Sequence, residues 1–208
     1  MAYVWYGTDN NDNLNYTGSD RLVASGKKGN DFIWGNNQND SILGQQGNDT
    51  LKGWRGDDYI FGGDDHDKIY GEEGHDKLYG ERGNDLLDGG SGNDILNGYG
   101  VGYVSPEIDT LIGGAGNDTF VLGDSYWGVH YNEPGDGYAV IQDFKWWEDK
   151  IQVKGNASQY ELQFKSVNGI GSSAQDTEIY FKGSSGLERI AIVQDTTNVI
   201  ISADFTFV

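Results

Sequence analysis

The chain has 208 residues, room for one domain or two small ones, yet only 36% of them are apolar. Its 33 glycines accompany 33 Asp and Glu against 14 Lys and Arg, a net charge of −19. That field offers no basic stripe to neutralise phosphates, so nucleic acid and anionic lipid are excluded as partners, and cations are the natural counterpart.

Taken in order, the chain opens with Met1 to Gly7, where no basic region precedes an apolar run, so a cleavable export signal is not expected there. No later apolar run approaches membrane-spanning length, and with no cysteines there is neither a disulfide framework nor a thiolate metal site. Two irregular units follow, Asp12 with Leu14 and Asp20 with Leu22. Asp31, Asp40, Asp49, Asp58, Asp67, Asp76, Asp85 and Asp94 then succeed one another at intervals of nine, without exception across eight units. A unit such as Gly89-Gly90-Ser91-Gly92-Asn93-Asp94-Ile95-Leu96-Asn97 predicts six turn residues and a three-residue strand, with the aspartate sixth. The eighth position is always a large aliphatic: Ile33, Ile42, Leu51, Ile60, Ile69, Leu78, Leu87 or Leu96. After Asp94 the step lengthens to fifteen through an insertion around Tyr99 to Glu107, before Asp109 with Leu111 and Asp118 with Phe120.

A three-residue strand is stable only when like strands stack on it, so the units predict a flattened coil with two units per winding. Each winding adds about 4.8 Å, which puts Asp31, Asp49, Asp67 and Asp85 in one column and Asp40, Asp58, Asp76 and Asp94 in another. Carboxylates at that spacing repel unless cations lie between them. Ca²⁺ suits such gaps better than Mg²⁺, because it takes six to eight oxygens, main-chain carbonyls included, in adaptable geometry. Glycines at positions one and four, such as Gly44 and Gly47 or Gly71 and Gly74, are expected to adopt backbone angles closed to other residues and to let carbonyls approach the ion.

These units resemble the GGxGxDxUx motif of RTX (hemolysin-type) calcium-binding repeats, over roughly Gly7 to Val121. The resemblance implies an all-β fold, a right-handed parallel β-roll over residues 1–121 with regular repeats at 26–97, followed by a β-rich cap over 122–208. It implies ions held by pairs of sixth-position aspartates: Asp31/Asp49, Asp49/Asp67, Asp67/Asp85, Asp40/Asp58, Asp58/Asp76 and Asp76/Asp94, with Asp94/Asp118 a seventh. About six to eight Ca²⁺ ions follow, with Asp12, Asp20 and Asp109 as flanking candidates. It also implies main-chain carbonyl ligands from the turns: Gly29; Gly44, Gln46 and Gly47; Gly53, Arg55 and Gly56; Gly62, Gly63, Asp64 and Asp65; Gly71, Glu73 and Gly74; Gly80, Arg82 and Gly83; Gly89, Ser91 and Gly92; Gly113 and Ala115.

Positions seven and nine should point outward, placing Phe32, Trp34, Tyr59, Phe61, Tyr70, Tyr79 and Leu43 on the outer faces, with Leu43, Phe61 and Tyr79 in one column. Position three runs Lys28, Asn37, Gln46, Arg55, Asp64, Glu73, Arg82, which is not the threonine array of an ice-binding face. His66 and His75, at turn position five, read as solvated turn residues, and His130 is isolated. No catalytic constellation appears, so no enzyme is expected.

Beyond Val121 ordinary strand signals replace the repeat: Ala139 to Phe144, Lys150 to Val153, Tyr160 to Ser166, Thr177 to Lys182, Arg189 to Val193 and Asn198 to Ile201. They are expected to cap the last winding. Val140-Ile141-Gln142-Asp143-Phe144 with Asp149-Lys150-Ile151 resembles the post-repeat segment of RTX exoproteins, and Ala203-Asp204-Phe205-Thr206-Phe207-Val208 resembles the terminus of type I secretion substrates. The resemblance implies a bacterial secreted or cell-surface protein that passes the type I secretion machinery unfolded and folds on meeting extracellular calcium. A structural or adhesive module fits best. The alternatives are the C-terminal part of a protease or lipase, which repeats starting almost at Met1 disfavour, and a glycan-binding protein using Trp34, Trp54 and Tyr70. The sequence names neither a glycan nor a protein partner.

Overall fold

The computed structural model describes residues 1–100, 106–124, 128–131, 137–167, 170–172, 174–183 and 186–208. Among the described residues two large sheets, parallel throughout the roll, face each other, and the chain alternates between them once per unit. The first has nine strands in the order Ala2–Tyr6, Arg21–Lys28, Ser41–Gln46, Tyr59–Asp64, Lys77–Arg82, Ile95–Tyr99, Thr119–Val121, Lys150–Val153 and Phe205–Phe207. The second has ten: Asn13–Asn15, Phe32–Trp34, Thr50–Arg55, Lys68–Glu73, Leu86–Ser91, Ile108–Ala115, Tyr138–Ile141, Gly186–Val193, Asp176–Gly183 and Tyr160–Lys165. This is a parallel β-roll, and in the regular run residue i pairs with residue i+18, as in Ile42↔Ile60 and Leu51↔Ile69.

The core is the single aliphatic per unit. Ile33, Ile42, Leu51, Ile60, Ile69, Leu78, Leu87 and Leu96 are all fully buried, and Leu111, Phe120 and Ile151 extend the same rows. Burying each contributes about 1.5–3 kcal/mol. Because the roll is only one side chain deep, the remaining inward positions must be glycines or groups that bond to backbone.

The strands are longer than the three residues expected. Most in the regular run have six, positions seven to nine plus the first three of the next unit, as in Thr50–Arg55. Position two stays in the ladder while taking a left-handed φ, at Lys27, Gln45, Trp54, Glu72 and Glu81 as well as at Gly63 and Gly90. The expectation about glycine is corrected accordingly. Position four does need a left-handed φ (Gly47 +113°, Gly74 +147°), but position one does not. There a side chain is barred by space, since a Cβ on Gly44 would collide with Asp49 Oδ2 and with the Gly62 carbonyl oxygen.

The sheets continue beyond Val121 without a break, through Thr119–Val121 onto Lys150–Val153 and through Ile108–Ala115 onto Tyr138–Ile141. Of the strands expected there, Lys150–Val153 matches, and the segments at Ala139, Tyr160, Thr177 and Arg189 form strands with shifted ends. Residues 198–201 do not form a strand. Ile201–Asp204 is a single helical turn held by the Asp204 carboxylate, which accepts from the Ile200 N–H at 2.6 Å. Antiparallel strands Asp176–Gly183 and Tyr160–Lys165 finish one sheet, and Phe205–Phe207 finishes the other. The outer column Leu43, Phe61, Tyr79 is in register, with the Phe61 and Tyr79 rings stacked at 4.7 Å. Part of the Tyr99 to Glu107 insertion, residues 101–105, lies outside the described residues.

Candidate metal columns

Each sixth-position aspartate sits at the turn entering a strand, and its backbone is already committed. The Asp31 carbonyl accepts from the Thr50 N–H, and its own N–H donates to Asp49 Oδ1, at 2.8 and 2.7 Å. The same bond recurs up both sides of the roll. In one column Asp12, Asp31, Asp49 and Asp67 each donate N–H to Oδ1 of the aspartate one winding on, as Asp85 does to Asp109. In the other, Asp40, Asp58, Asp76, Asp94 and Asp118 do likewise, ending on Asp149. Asp20 stands outside: Asp40 Oδ1 accepts from the Leu22 N–H, and the Asp20 carboxylate is exposed beside the chain's first amino group.

The second carboxylate oxygen separates the columns' interiors from their ends. In Asp31, Asp49, Asp67 and Asp85, and in Asp58, Asp76, Asp94 and Asp118, Oδ2 is buried with no hydrogen-bond partner. An unpaired buried carboxylate oxygen is costly. Each lies where a Cβ on the position-one glycine of its own turn would sit, and except at Gly113, the glycine of the Asp118 turn, the position-one carbonyl of the next winding lies there too, as with Asp67 Oδ2 and Gly80 O at Gly62. Two oxygens without a proton between them are a cation's environment. At each end the outer oxygen is instead satisfied: Asp12 by Thr8, Asp40 by the Asn36 N–H, Asp109 by the Tyr131 hydroxyl and Asp149 by the Lys145 N–H.

The electrostatics agree. Burial pushes Asp58 and Asp67 up to about 8 and Asp49 and Asp94 up to about 7; donated backbone N–H bonds oppose the rise, and neighbouring carboxylates add to it. Burial also raises Asp76 and Asp118, to about 6. Asp85 and Asp109 are raised together, burial leading in both. A bound cation would reverse this logic and favour the charged form.

A family comparison decides what kind of column this is. The model of the RTX calcium-binding nonapeptide repeat matches in four copies, over residues 16–51, 37–69, 70–100 and 105–125, more than half of the chain. The chain belongs to the RTX calcium-binding repeat family. RTX repeats bind Ca²⁺, and the residues here fit that ion: eight orphaned carboxylate oxygens, glycine cradles that a Cβ would fill, and inward carbonyls. Among the described residues no three His, Asp or Glu side chains group into a metal site of their own. No curated protein sequence matches the chain. Among solved structures it is similar to the AlgE6R3 subunit of the Azotobacter vinelandii mannuronan C5-epimerase, with 25% identity over 72% of this chain and 77% of that one and a TM-score of 0.31. At that score the likeness adds nothing to a fold that rests on the registers above.

The RTX motif omits two features of the site. Position five forms a second ladder running the other way: Asn30 Oδ1 accepts from the Asn48 N–H, Asn48 from His66, and His66 Nδ1 from Asn84. On the other side Asn39, Asp57, His75 and Asn93 do the same, so His66 and His75 are structural acceptors rather than merely solvated turn residues. Its signal in the sequence was that position five always carries Asn, Asp or His. Asp149 was missed as a column member although Asp149-Lys150-Ile151 repeats the Asp-x-aliphatic step. Among the described residues no helix is long and apolar enough to cross a membrane.

Proposed function

We infer that this chain is a non-enzymatic module that folds when Ca²⁺ neutralises its two aspartate columns, and that it does so outside a bacterial cell after export by a type I system. The observation that carries the reading is the set of eight buried, unpartnered Oδ2 atoms. Six adjacent pairs have both outer oxygens free: Asp31/Asp49, Asp49/Asp67, Asp67/Asp85, Asp58/Asp76, Asp76/Asp94 and Asp94/Asp118. One ion per free oxygen would make eight. Main-chain carbonyls of the intervening turns supply the other ligands. In this reading residues 1–121 are the calcium-dependent roll and 122–208 the cap that closes its last windings.

Extracellular calcium modules bind at about 10⁻⁴ to 10⁻³ M, weak enough to stay empty in the cytosol and to fill outside. A structural or adhesive role follows from a rod whose outer faces pair aromatic side chains along the strands. Circular dichroism in chelator and then in millimolar calcium tests the reading: a chelator spectrum of an unfolded chain that becomes β-rich on adding calcium is expected, and coincident spectra would reject it.

A further inference from the structure

We propose that the Tyr131 hydroxyl closes the first column in place of a calcium ion, so that the Asp109 turn is metal-free by construction. The inference rests on calcium filling the interior turns. In those turns, Gly113 excepted, two oxygens crowd the place a Cβ on the position-one glycine would take, the carboxylate of its own turn and the carbonyl of the next winding; at Gly80 these are Asp85 Oδ2 and Gly98 O. At Gly98 the first is Asp109 Oδ2, and the second is not a carbonyl but the Tyr131 hydroxyl. A carbonyl and an ionised carboxylate are both acceptors, and a cation between them satisfies both. A phenol brings its own proton, and Tyr131 donates it to Asp109 Oδ2 at 2.5 Å.

The substitution is built in. Tyr131 is 4% exposed and Asp109 is fully buried, and the ring packs edge-on against Tyr99 at 5.4 Å. At the other three ends the outer carboxylate oxygen is likewise satisfied, although at Gly7 and Gly35 the carbonyl of the next winding still lies beside it. Thr8 donates its N–H and its hydroxyl to Asp12. At Asp40 the Asn36 N–H fills the oxygen, while the Asn36 side-chain amide donates to the carbonyls of Gly18 and Asp20, at 2.6 and 2.7 Å. At the end of the second column the Lys145 ammonium donates to the Gly114 carbonyl while the Lys145 N–H takes Asp149. Among the described turns, Gly98 is the one where a proton donor stands in the carbonyl's place. Glu107 Oε2 is also buried without a partner near this turn, which makes the rival arrangement, an ion on Asp85, Glu107 and Asp109, concrete enough to test.

The experiment is a count of bound calcium by calorimetry on the full chain and its variants. Asp109→Asn should bind as many ions as the parent, whereas Asp67→Asn should bind fewer. Tyr131→Phe, which keeps the ring and loses one atom, should bind as many ions as the parent or one more. One ion fewer in Asp109→Asn, or in Tyr131→Phe should the first variant not fold, would make that turn a calcium site and overturn the proposal. A parent chain that binds no calcium at all would instead overturn the underlying reading, a result easily told from the loss of one ion among several.

Discussion

The Asp67→Asn substitution should stabilise the metal-free chain and destabilise the calcium-loaded one. Without metal, Asp67 is buried with an unpartnered Oδ2 and is pushed up to about 8. Keeping it protonated at pH 7, against its ordinary 3.8, costs about 2–4 kcal/mol. Asparagine removes that cost. It keeps an oxygen for the Asp49 N–H and turns an amide donor towards the neighbouring Gly80 carbonyl. With calcium the balance reverses, because Asp67 belongs to two pairs, with Asp49 and with Asp85. At 10 mM calcium and a dissociation constant of about 10⁻⁴ to 10⁻³ M each ion contributes about 1.4–2.7 kcal/mol, so losing one or two costs about 1.5–5 kcal/mol. Denaturation followed by circular dichroism, once in chelator with a protecting osmolyte and once in calcium, reads both signs. A variant destabilised equally in both conditions would show that the orphaned oxygen is not a metal ligand.

Other outcomes follow from the same geometry. Gly71→Ala should lose about 3 kcal/mol or more, because its Cβ meets the Asp76 carboxylate and the Gly89 carbonyl; an unchanged thermal midpoint would contradict the cradle. Gln45→Gly should gain about 1 kcal/mol, since Gln45 holds φ +88° at a position where Gly63 and Gly90 also occur, and urea midpoints would show it. Leu78→Ala, in a roll one side chain deep, should cost about 3–5 kcal/mol in calcium by the same assay. As for pH, the raised aspartates make the metal-free fold bind more protons than the unfolded chain. Its stability is therefore greatest below about pH 4 and is lost as pH rises towards about 8, the value to which Asp58 and Asp67 are pushed. Calcium competes with those protons, so calorimetric affinity should weaken as pH falls through the same window.

The register of the roll was legible in the sequence because a strict interval of nine leaves one way to stack the aspartates and the aliphatics, and the i, i+18 pairing follows from two units per winding. The strand length was not, because a left-handed residue normally ends a strand; here Trp54 and Glu72 take that φ and stay paired, since every winding makes the same bend. The paired aspartates could be named from spacing alone. Their ends could not. Tyr131 reaches Asp109 from 22 residues away, and Asn36 closes its turn through a backbone N–H that any residue could offer. Asp20 illustrates the converse: its spacing of eight from Asp12 looked like a slightly short repeat, but the ladder passes to Leu22 instead.

The most direct test of the central claim is an anomalous difference map from crystals grown in calcium. Six to eight peaks should lie in two columns, beside the outer oxygens of Asp31, Asp49, Asp67 and Asp85 and of Asp58, Asp76, Asp94 and Asp118, with none at Asp109. A map in which those eight oxygens have no ion beside them would contradict it.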